Sequence, residues 1–183
     1  MGILLAFAPF IVFALVDRLA GATEGLIAGA AVSAALLLRD QFTPGRTPKV
    51  LEIGTVLLFA GLALYAVLGD ATWSIIGVRL CVDAGLLLIV LATIAIRQPF
   101  TLQYAREQVA REHWDSAEFV RTNYVITAAW ALAFAVMVAA DLVLLYATAL
   151  PPKVGIIATI VAIVGAVKFT SWYPERRQAQ AAH

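Results

Sequence analysis

The stretch Arg97–Arg121, RQPFTLQYAREQVAREHWDSAEFVR, is the only long charged run between two strongly apolar regions of the chain. Four of the thirteen Lys and Arg residues lie in it. Basic residues close to the ends of transmembrane helices favour the cytoplasmic side of a membrane. We therefore predict that residues 97–118 form a cytoplasmic loop, and the orientation of the remaining chain follows from that placement.

The chain on both sides of this loop is far more apolar than a water-soluble domain. Its 183 residues are 62% hydrophobic and 14% charged, and the mean hydropathy is +0.90. Soluble domains are about 25% charged, whereas a helix needs roughly 20 apolar residues to cross a bilayer. The composition predicts an all-α, polytopic protein embedded in the lipid bilayer. The net charge of +1 argues against a nucleic-acid partner, which usually needs a basic face.

The apolar segments predict six transmembrane helices in three hairpins, within a single domain of residues 1–183. We place the spans at about residues 2–19, 22–38, 50–68, 73–96, 119–150 and 153–172. The first two are short, so one broken span is the alternative to two helices joined by a tight turn. Ten basic residues then fall inside, and only Arg18, Arg79 and Lys153 fall outside. This imbalance favours six spans with both termini in the cytoplasm, whereas five spans place the N-terminus outside.

Local signals predict where several helices begin and end. Residues 39–49 form a loop by their Pro and Gly content. Residues 101–112 predict a helix on the cytoplasmic membrane surface. Asp115 and Glu118 resemble a capping box at the start of the fifth span, and Pro174 is expected to end the sixth.

Two of the predicted spans carry a small residue at every fourth position. Such a face allows a neighbouring backbone to approach closely. For the second span we predict a contact within the bundle, and a homodimer seam is the alternative; the sixth span repeats the pattern. The residues are Gly21, Gly25, Gly29 and Ser33 in the second span, and Ala158, Ala162, Ala166 and Thr170 in the sixth.

Four ionisable side chains within the spans form a candidate intramembrane polar site. They are Glu52, Arg79, Asp83 and Asp141. Burying such groups in lipid costs at least a few kcal/mol, so they are functional candidates. Glu52 lies within one turn of the inner end of its span, where an ordinary interfacial carboxylate is the alternative. Arg79 and Asp83 share a helix face and form either a structural ion pair or a gate or proton site.

Asp141 is the most informative of these residues, because it follows a long apolar run and precedes Pro151 by about two and a half turns. A carboxylate at that depth must find a partner, be protonated or face a watery cavity. Its candidate partners are Arg79, Lys153 or a hydroxyl group of another helix. The alternative to structural pairing is a role in transporting protons, ions or a small solute.

Sequence motifs for catalysis are absent. The chain has no HExxH, GxSxG, Walker or GxGxxG pattern. Cys81 is the only cysteine, and His113 and His183 have no Cys or His neighbours at ligand spacing. We therefore expect no catalytic residue, no metal site and no cofactor.

Short segments along nearly the whole chain carry a family resemblance. They are AFAPFIVFALVDRLAG near the N-terminus, Thr47-Pro48-Lys49-Val50, Pro99-Phe100, Ala129-Trp130-Ala131 followed by Asp141, Leu150-Pro151, and Tyr173-Pro174-Glu175. In this order they resemble the intracellular septation protein A family of bacterial inner-membrane proteins. The resemblance implies a non-enzymatic role in cell-envelope maintenance or division through contacts with other membrane proteins.

The charged loop is the part of the chain that we expect to make such contacts. Its candidate docking surface combines aromatic and basic side chains, and a homo-oligomer is a further expectation. The residues are Pro99, Phe100, Tyr104, Arg106, Arg111 and Trp114.

Overall fold

The computed structural model describes residues 2–43, 46–69, 73–147, 151 and 153–181, with side chains from residue 4 to residue 177. Within these ranges the chain is helical apart from turns, which confirms the all-α prediction. The helices are α1 (Gly2–Leu5), α2 (Ala8–Ala20), α3 (Ala22–Phe42), α4 (Val50–Leu68), α5 (Ile75–Ala95), α6 (Phe100–Arg106), α7 (Ala117–Tyr146) and α8 (Lys153–Ala181), with a 3-10 turn at Arg111–His113.

Among the described residues, five helices are long and apolar enough to cross a membrane, namely α3, α4, α5, α7 and α8. The predicted third span matches α4 residue for residue, and α5 lies within the predicted fourth. The first predicted span, residues 2–19, is not one continuous helix. At a rise of 1.5 Å per residue, α2 alone extends about 20 Å, which is less than the roughly 30 Å of a hydrocarbon core.

Pro9 explains why the N-terminal apolar segment is broken. A proline ring clashes with the carbonyl group four residues earlier, so an unbroken helix through Leu5 and Pro9 is disfavoured. The structure ends α1 at Leu5 and starts α2 at Ala8, which puts Pro9 in the first turn, where its missing N–H costs little.

The chain divides into two compact units, residues 1–89 and residues 90–183, and α5 runs from the first into the second. In the first unit, α3 packs against both α2 and α4. A Cβ atom on Gly25 would lie 3.0 Å from the Asp17 backbone, and one on Gly29 would lie 2.7 Å from the Phe59 ring. The small-residue face of α3 is therefore used within the chain, as predicted. Gly21 provides the turn before it, with a φ of 118°.

The core of the first unit surrounds the Phe59 ring. Phe59 contacts Phe10 and Phe13 of α2, with ring centroids 5.1 and 5.7 Å apart. The remaining buried members come from α3, α4 and α5. They are Leu26, Ala63, Ala66, Val78 and Val82.

In the second unit, α7 packs against α6 and α8. Trp130 of α7 lies between the rings of Phe100 and Phe134 and donates a hydrogen bond from Nε1 to Thr170 Oγ1 of α8, at 2.9 Å. Thr170 in turn donates to the Ala166 carbonyl group of its own helix. Thr170, the last residue of the small-residue pattern in α8, therefore contacts α7.

The charged loop departs from the prediction of one surface helix over residues 101–112. The helix covers only Phe100–Arg106, and Leu102 is buried rather than facing lipid. After Arg106 the chain turns back, because Trp114 Nε1 donates a hydrogen bond to the Val109 carbonyl group at 3.1 Å. This bond closes a compact turn in place of a longer helix.

Three other helix ends differ from their predicted positions. The N-cap of α7 is Ser116, whose hydroxyl accepts from the Phe119 N–H at 3.3 Å, so the Asp115 capping box is wrong. Helix α7 ends at Tyr146, and the predicted end at Leu150 lies outside the described residues, as does His183. Helix α8 continues through Pro174 to Ala181 rather than stopping there.

The contacts around Pro174 account for this continuation. The Arg176 guanidinium lies 5.0 Å from the centre of the Trp172 ring, a contact that spans the proline. One residue later, Arg177 forms an ion pair with Glu118 of α7 at 3.5 Å. The segment after the proline is therefore held both to the preceding turn and to a neighbouring helix.

The turn between α5 and α6 is formed around Thr93. Its hydroxyl accepts a hydrogen bond from the Phe100 N–H at 3.2 Å, and its carbonyl group accepts one from the Gln98 N–H at 2.9 Å. Arg97, between them, has a φ of 59°. This left-handed conformation is usually left to glycine at a helix end.

Candidate functional site

A cluster of charged side chains occupies the junction between α3 and α4 in the first unit. Asp40 Oδ1 accepts hydrogen bonds from Nε and Nη2 of Arg39, at 2.9 and 2.6 Å, and from Nη1 of Arg46, at 3.0 Å. Asp40 Oδ2 accepts one from Lys49 Nζ at 2.8 Å. Lys49 also lies 3.5 Å from Glu52 Oε1. Five charged side chains therefore form one network.

The innermost members of this network are almost completely buried. Asp40 and Lys49 are 1% and 2% exposed, and Glu52 is 7% exposed. Isolated ions at such positions carry a penalty of several kcal/mol each, so they persist only as hydrogen-bonded partners. The network satisfies this condition, because each carboxylate oxygen of Asp40 contacts a cation.

The sequence analysis identified Glu52 but missed Asp40 and Lys49. It ended the second span at Leu38, where the apolar run stops, and treated residues 39–49 as a loop. In the structure, α3 continues to Phe42 and carries Asp40 into the interior. The available signal was that Asp40 is the only acidic residue in this basic segment.

The predicted site residues of the first unit do not form one constellation. Gly85 packs on Leu58, and Gly54 packs on Ile89, so α4 and α5 run antiparallel in a defined register. That register places Arg79 about twelve residues along the helix axis from Glu52, or roughly 18 Å. Glu52 belongs to the charged cluster at the other end.

Arg79 has a further acidic neighbour in the same unit. It lies near enough to Asp17 of α2 for an electrostatic interaction with that carboxylate. Arg18 interacts with the same carboxylate. Asp83, one turn after Arg79, is 8% exposed. The structure therefore adds Asp17 to the charged groups around Arg79, a residue that the sequence analysis did not select.

Asp141 of the second unit is 1% exposed and lies five residues before the end of α7. The contacts of Leu144 with Gly155 and of Trp130 with Thr170 define the antiparallel register of α7 and α8. That register brings residues 158 and 159 to the level of Asp141. Thr159 of α8 carries a hydroxyl group at that level.

Neutral polar groups hold α6 to α7 in the second unit. The Thr101 hydroxyl donates to the Asn123 carbonyl group at 2.8 Å. It also lies 2.8 Å from the Thr127 hydroxyl. Because the single hydroxyl hydrogen of Thr101 is used on Asn123, Thr127 is the donor in this second bond. The start of α6 is therefore joined to α7 by two consecutive hydrogen bonds.

The predicted docking surface is only partly exposed. Pro99 is buried, and Phe100 and Tyr104 are 0% and 3% exposed. These three residues pack inside the second unit because the short helix α6 lies against α7. They position the loop and are not available to a partner.

The other three residues of that prediction, of which Arg111 is exposed and Arg106 and Trp114 are half-buried, form what we call the Trp114 surface. The guanidinium carbons of Arg106 and Arg111 lie 5.5 and 5.6 Å from the centre of the Trp114 ring. Arg106 also forms an ion pair with Asp115 at 3.5 Å. Two cations thus share one indole ring, an attraction that is worth about 0.5–1 kcal/mol at exposed sites.

Comparisons with known proteins found no match to this chain. No family model matches the chain, and neither a curated protein nor a solved structure matches it. Within the part of the chain that the structure describes, no three His, Cys, Asp or Glu residues are grouped so as to hold a metal ion.

Proposed function

We propose that this chain is a multi-pass protein of the bacterial inner membrane that acts without catalysis, by associating with other membrane proteins of the cell envelope or division machinery. This role corresponds to that implied by the resemblance to the septation protein A family. The observation that carries the proposal is the Trp114 surface, a fixed and partly exposed combination of one aromatic and two guanidinium side chains.

The Trp114 surface has the composition of a protein interface. Trp and Arg are enriched among the residues that contribute most to binding between proteins. The surface is preorganised, because Trp114 is hydrogen-bonded to Val109 and α6 is joined to α7 through Thr101. A preorganised surface loses little side-chain freedom when a partner binds, so more of the contact energy is retained as affinity.

The proposal includes six crossings with both termini in the cytoplasm. In this arrangement α1 and α2 together make the first crossing, and α3 returns. The support is the distribution of Lys and Arg, ten against three, which favours the cytoplasm for the Trp114 surface. Reporter fusions at Ala105 and after His183 test it: both should give a cytoplasmic signal, and opposite signals contradict this topology.

Site-specific photocrosslinking in living cells tests the association. A photoreactive amino acid replaces Glu112, which is exposed beside the Trp114 surface, and, as a matched control, Gln41, which is exposed at the end of α3. We expect discrete adducts at residue 112 that mass spectrometry identifies as envelope or division membrane proteins, and no such adducts at residue 41.

The aromatic and basic groups should determine those adducts. Trp114→Ala combined with Arg111→Gln should abolish them, because the surface loses its ring and one cation. Arg176→Gln combined with Arg177→Gln removes two basic groups, one more than the first variant, and should leave the adducts intact. Adducts that persist in the first variant, or adducts with lipid alone, contradict the proposed association.

A second candidate function, transport of protons, ions or a small solute, is favoured by the burial of Asp141 at 1% exposure. Ionisable residues inside membrane helices frequently mark such pathways. Purified protein in liposomes should then conduct a flux that Asp141→Asn abolishes and that Glu118→Gln, at the exposed start of the same helix, leaves unchanged. No flux over a panel of ions and pH gradients removes this candidate.

A further inference from the structure

We propose that the charged junction between α3 and α4 binds the phosphate group of an anionic phospholipid through Arg39 and Arg46. This inference concerns the first unit and does not depend on the proposed function. Nor does it depend on orientation, because α3 and α4 are both candidate spans and their junction lies at headgroup depth whichever side it faces.

The two guanidinium groups are held close together by one atom. Asp40 Oδ1 accepts from both Arg39 and Arg46, at distances of 2.6 to 3.0 Å. The Arg39 contacts use Nε and Nη2, and a guanidinium group has a third nitrogen that can donate to another acceptor. Both arginine side chains are 40% exposed, so they can also reach a ligand outside the protein.

The charges of the five side chains do not cancel. Arg39, Arg46 and Lys49 supply three positive charges, and Asp40 and Glu52 supply two negative charges, which leaves a net charge of +1. A phospholipid phosphodiester carries a single negative charge and neutralises this excess. Paired guanidinium groups also match the oxygen spacing of a phosphate, because they donate in a planar, bidentate geometry.

Apolar side chains next to the guanidinium groups indicate a lipid rather than a soluble phosphate. Leu38 and Phe42 are 56% and 81% exposed. Because they are four residues apart, they lie on one face of α3, and Arg39 is adjacent to that face. A phosphate bound by Arg39 would therefore have its acyl chains beside Leu38 and Phe42. Inorganic phosphate gains nothing from these contacts.

Native mass spectrometry of the purified full chain tests the site directly. The protein in detergent is titrated with phosphatidylglycerol or with phosphatidylcholine of the same acyl chains, and the ratio of the two affinities is measured. Each basic residue near an anionic lipid contributes about fivefold to binding. Arg39→Gln combined with Arg46→Gln should therefore lower the preference for phosphatidylglycerol roughly 30-fold.

Two further arms separate a specific lipid site from its alternatives. Arg176→Gln combined with Arg177→Gln removes the same charge elsewhere and should leave the lipid preference unchanged; an equal loss overturns the proposal. Millimolar inorganic phosphate should not displace bound phosphatidylglycerol. Displacement by phosphate identifies a soluble-anion site and also overturns it.

A variant that is expected to raise the affinity for phosphatidylglycerol keeps the proposal testable if the double arginine variant fails to fold. Glu52→Gln removes one negative charge of the cluster, where the contact with Lys49 is 3.5 Å. It should raise the affinity for phosphatidylglycerol roughly fivefold. Circular dichroism confirms that each variant is folded. An unchanged or lower affinity in a folded Glu52→Gln protein contradicts the site.

Discussion

The two units of the chain join their helices by different polar chemistry. In the first unit, α3 and α4 meet through a buried ionic network centred on Asp40. In the second unit, neutral hydrogen bonds join α6, α7 and α8, of which Thr101–Thr127 and Trp130–Thr170 are the clearest, beside a solvent-exposed ion pair between Arg177 and Glu118. One unit therefore depends on charge balance, and the other on the placement of hydroxyl groups.

This difference matters because the two chemistries fail differently. Removing one partner of a buried ion pair leaves an uncompensated charge and costs about 3–5 kcal/mol. Hydrogen bonds between helices in membranes are worth about 0.6 kcal/mol on average. The first unit should consequently tolerate polar substitutions at its junction poorly, whereas the second should absorb the loss of any single hydroxyl group.

The largest effect should come from Asp40→Asn. It removes the carboxylate that contacts Lys49 at 2.8 Å, and Lys49 is 2% exposed, so we expect a loss of about 3–5 kcal/mol in the free energy of unfolding. The measurement is SDS titration followed by circular dichroism. Asp115→Asn is the matched control: its side chain is 96% exposed, and its ion pair should contribute at most about 1 kcal/mol.

A double variant distinguishes charge imbalance from simple loss of packing. Asp40→Asn combined with Lys49→Met removes both buried charges and should recover at least half of the stability lost in Asp40→Asn. If the double variant is less stable than the single one, the network is not held together by its charges and the comparison between the units fails.

Gly29→Ala should have an intermediate effect. Its Cβ atom would lie 2.7 Å from the fully buried ring of Phe59, so α3 and α4 must separate slightly. Overpacking of this kind costs about 1–3 kcal/mol. Gly61→Ala, on α4 with no atom within 4 Å of the new Cβ, should be neutral or stabilising by up to about 1 kcal/mol. Equal thermal midpoints for the two variants contradict the close packing at Gly29.

Thr127→Val should have the smallest effect, about 0.6 kcal/mol, because it removes one interhelical hydrogen bond. Thr55→Val is the control in the first unit, since the buried Thr55 hydroxyl donates to Leu51 of its own helix and joins no two helices. A double-mutant cycle of Thr101→Val and Thr127→Val measures the coupling. A coupling of zero removes the neutral bond as a link between α6 and α7.

Helix positions could be predicted where hydropathy and helix ends coincide. Helix α4 runs from Val50 to Leu68, as expected, because a basic loop precedes it and Gly69 follows it. The end of α3 could not be predicted in the same way. Hydropathy falls at Leu38, but the helix continues because its next residues, Arg39 and Asp40, are satisfied by a contact with each other and with Lys49.

The candidate sites were predictable only as residue types. The sequence singled out Glu52 and Asp141 because each is ionisable in an apolar region. It could not show that Glu52 joins Lys49, since that contact depends on how the residues before α4 fold. Likewise, Phe100 looked like a surface aromatic residue until α6 was seen to pack against α7.

The backbone of Arg97, after the end of α5, is strained. Its backbone, with a φ of 59°, occupies a region that costs a residue other than glycine roughly 1–2 kcal/mol. A glycine there would relax the backbone but would remove a positive charge just after the end of the apolar helix α5. Arg97→Gly should therefore raise the thermal stability of the protein while it weakens the positive charge that directs membrane insertion during biosynthesis.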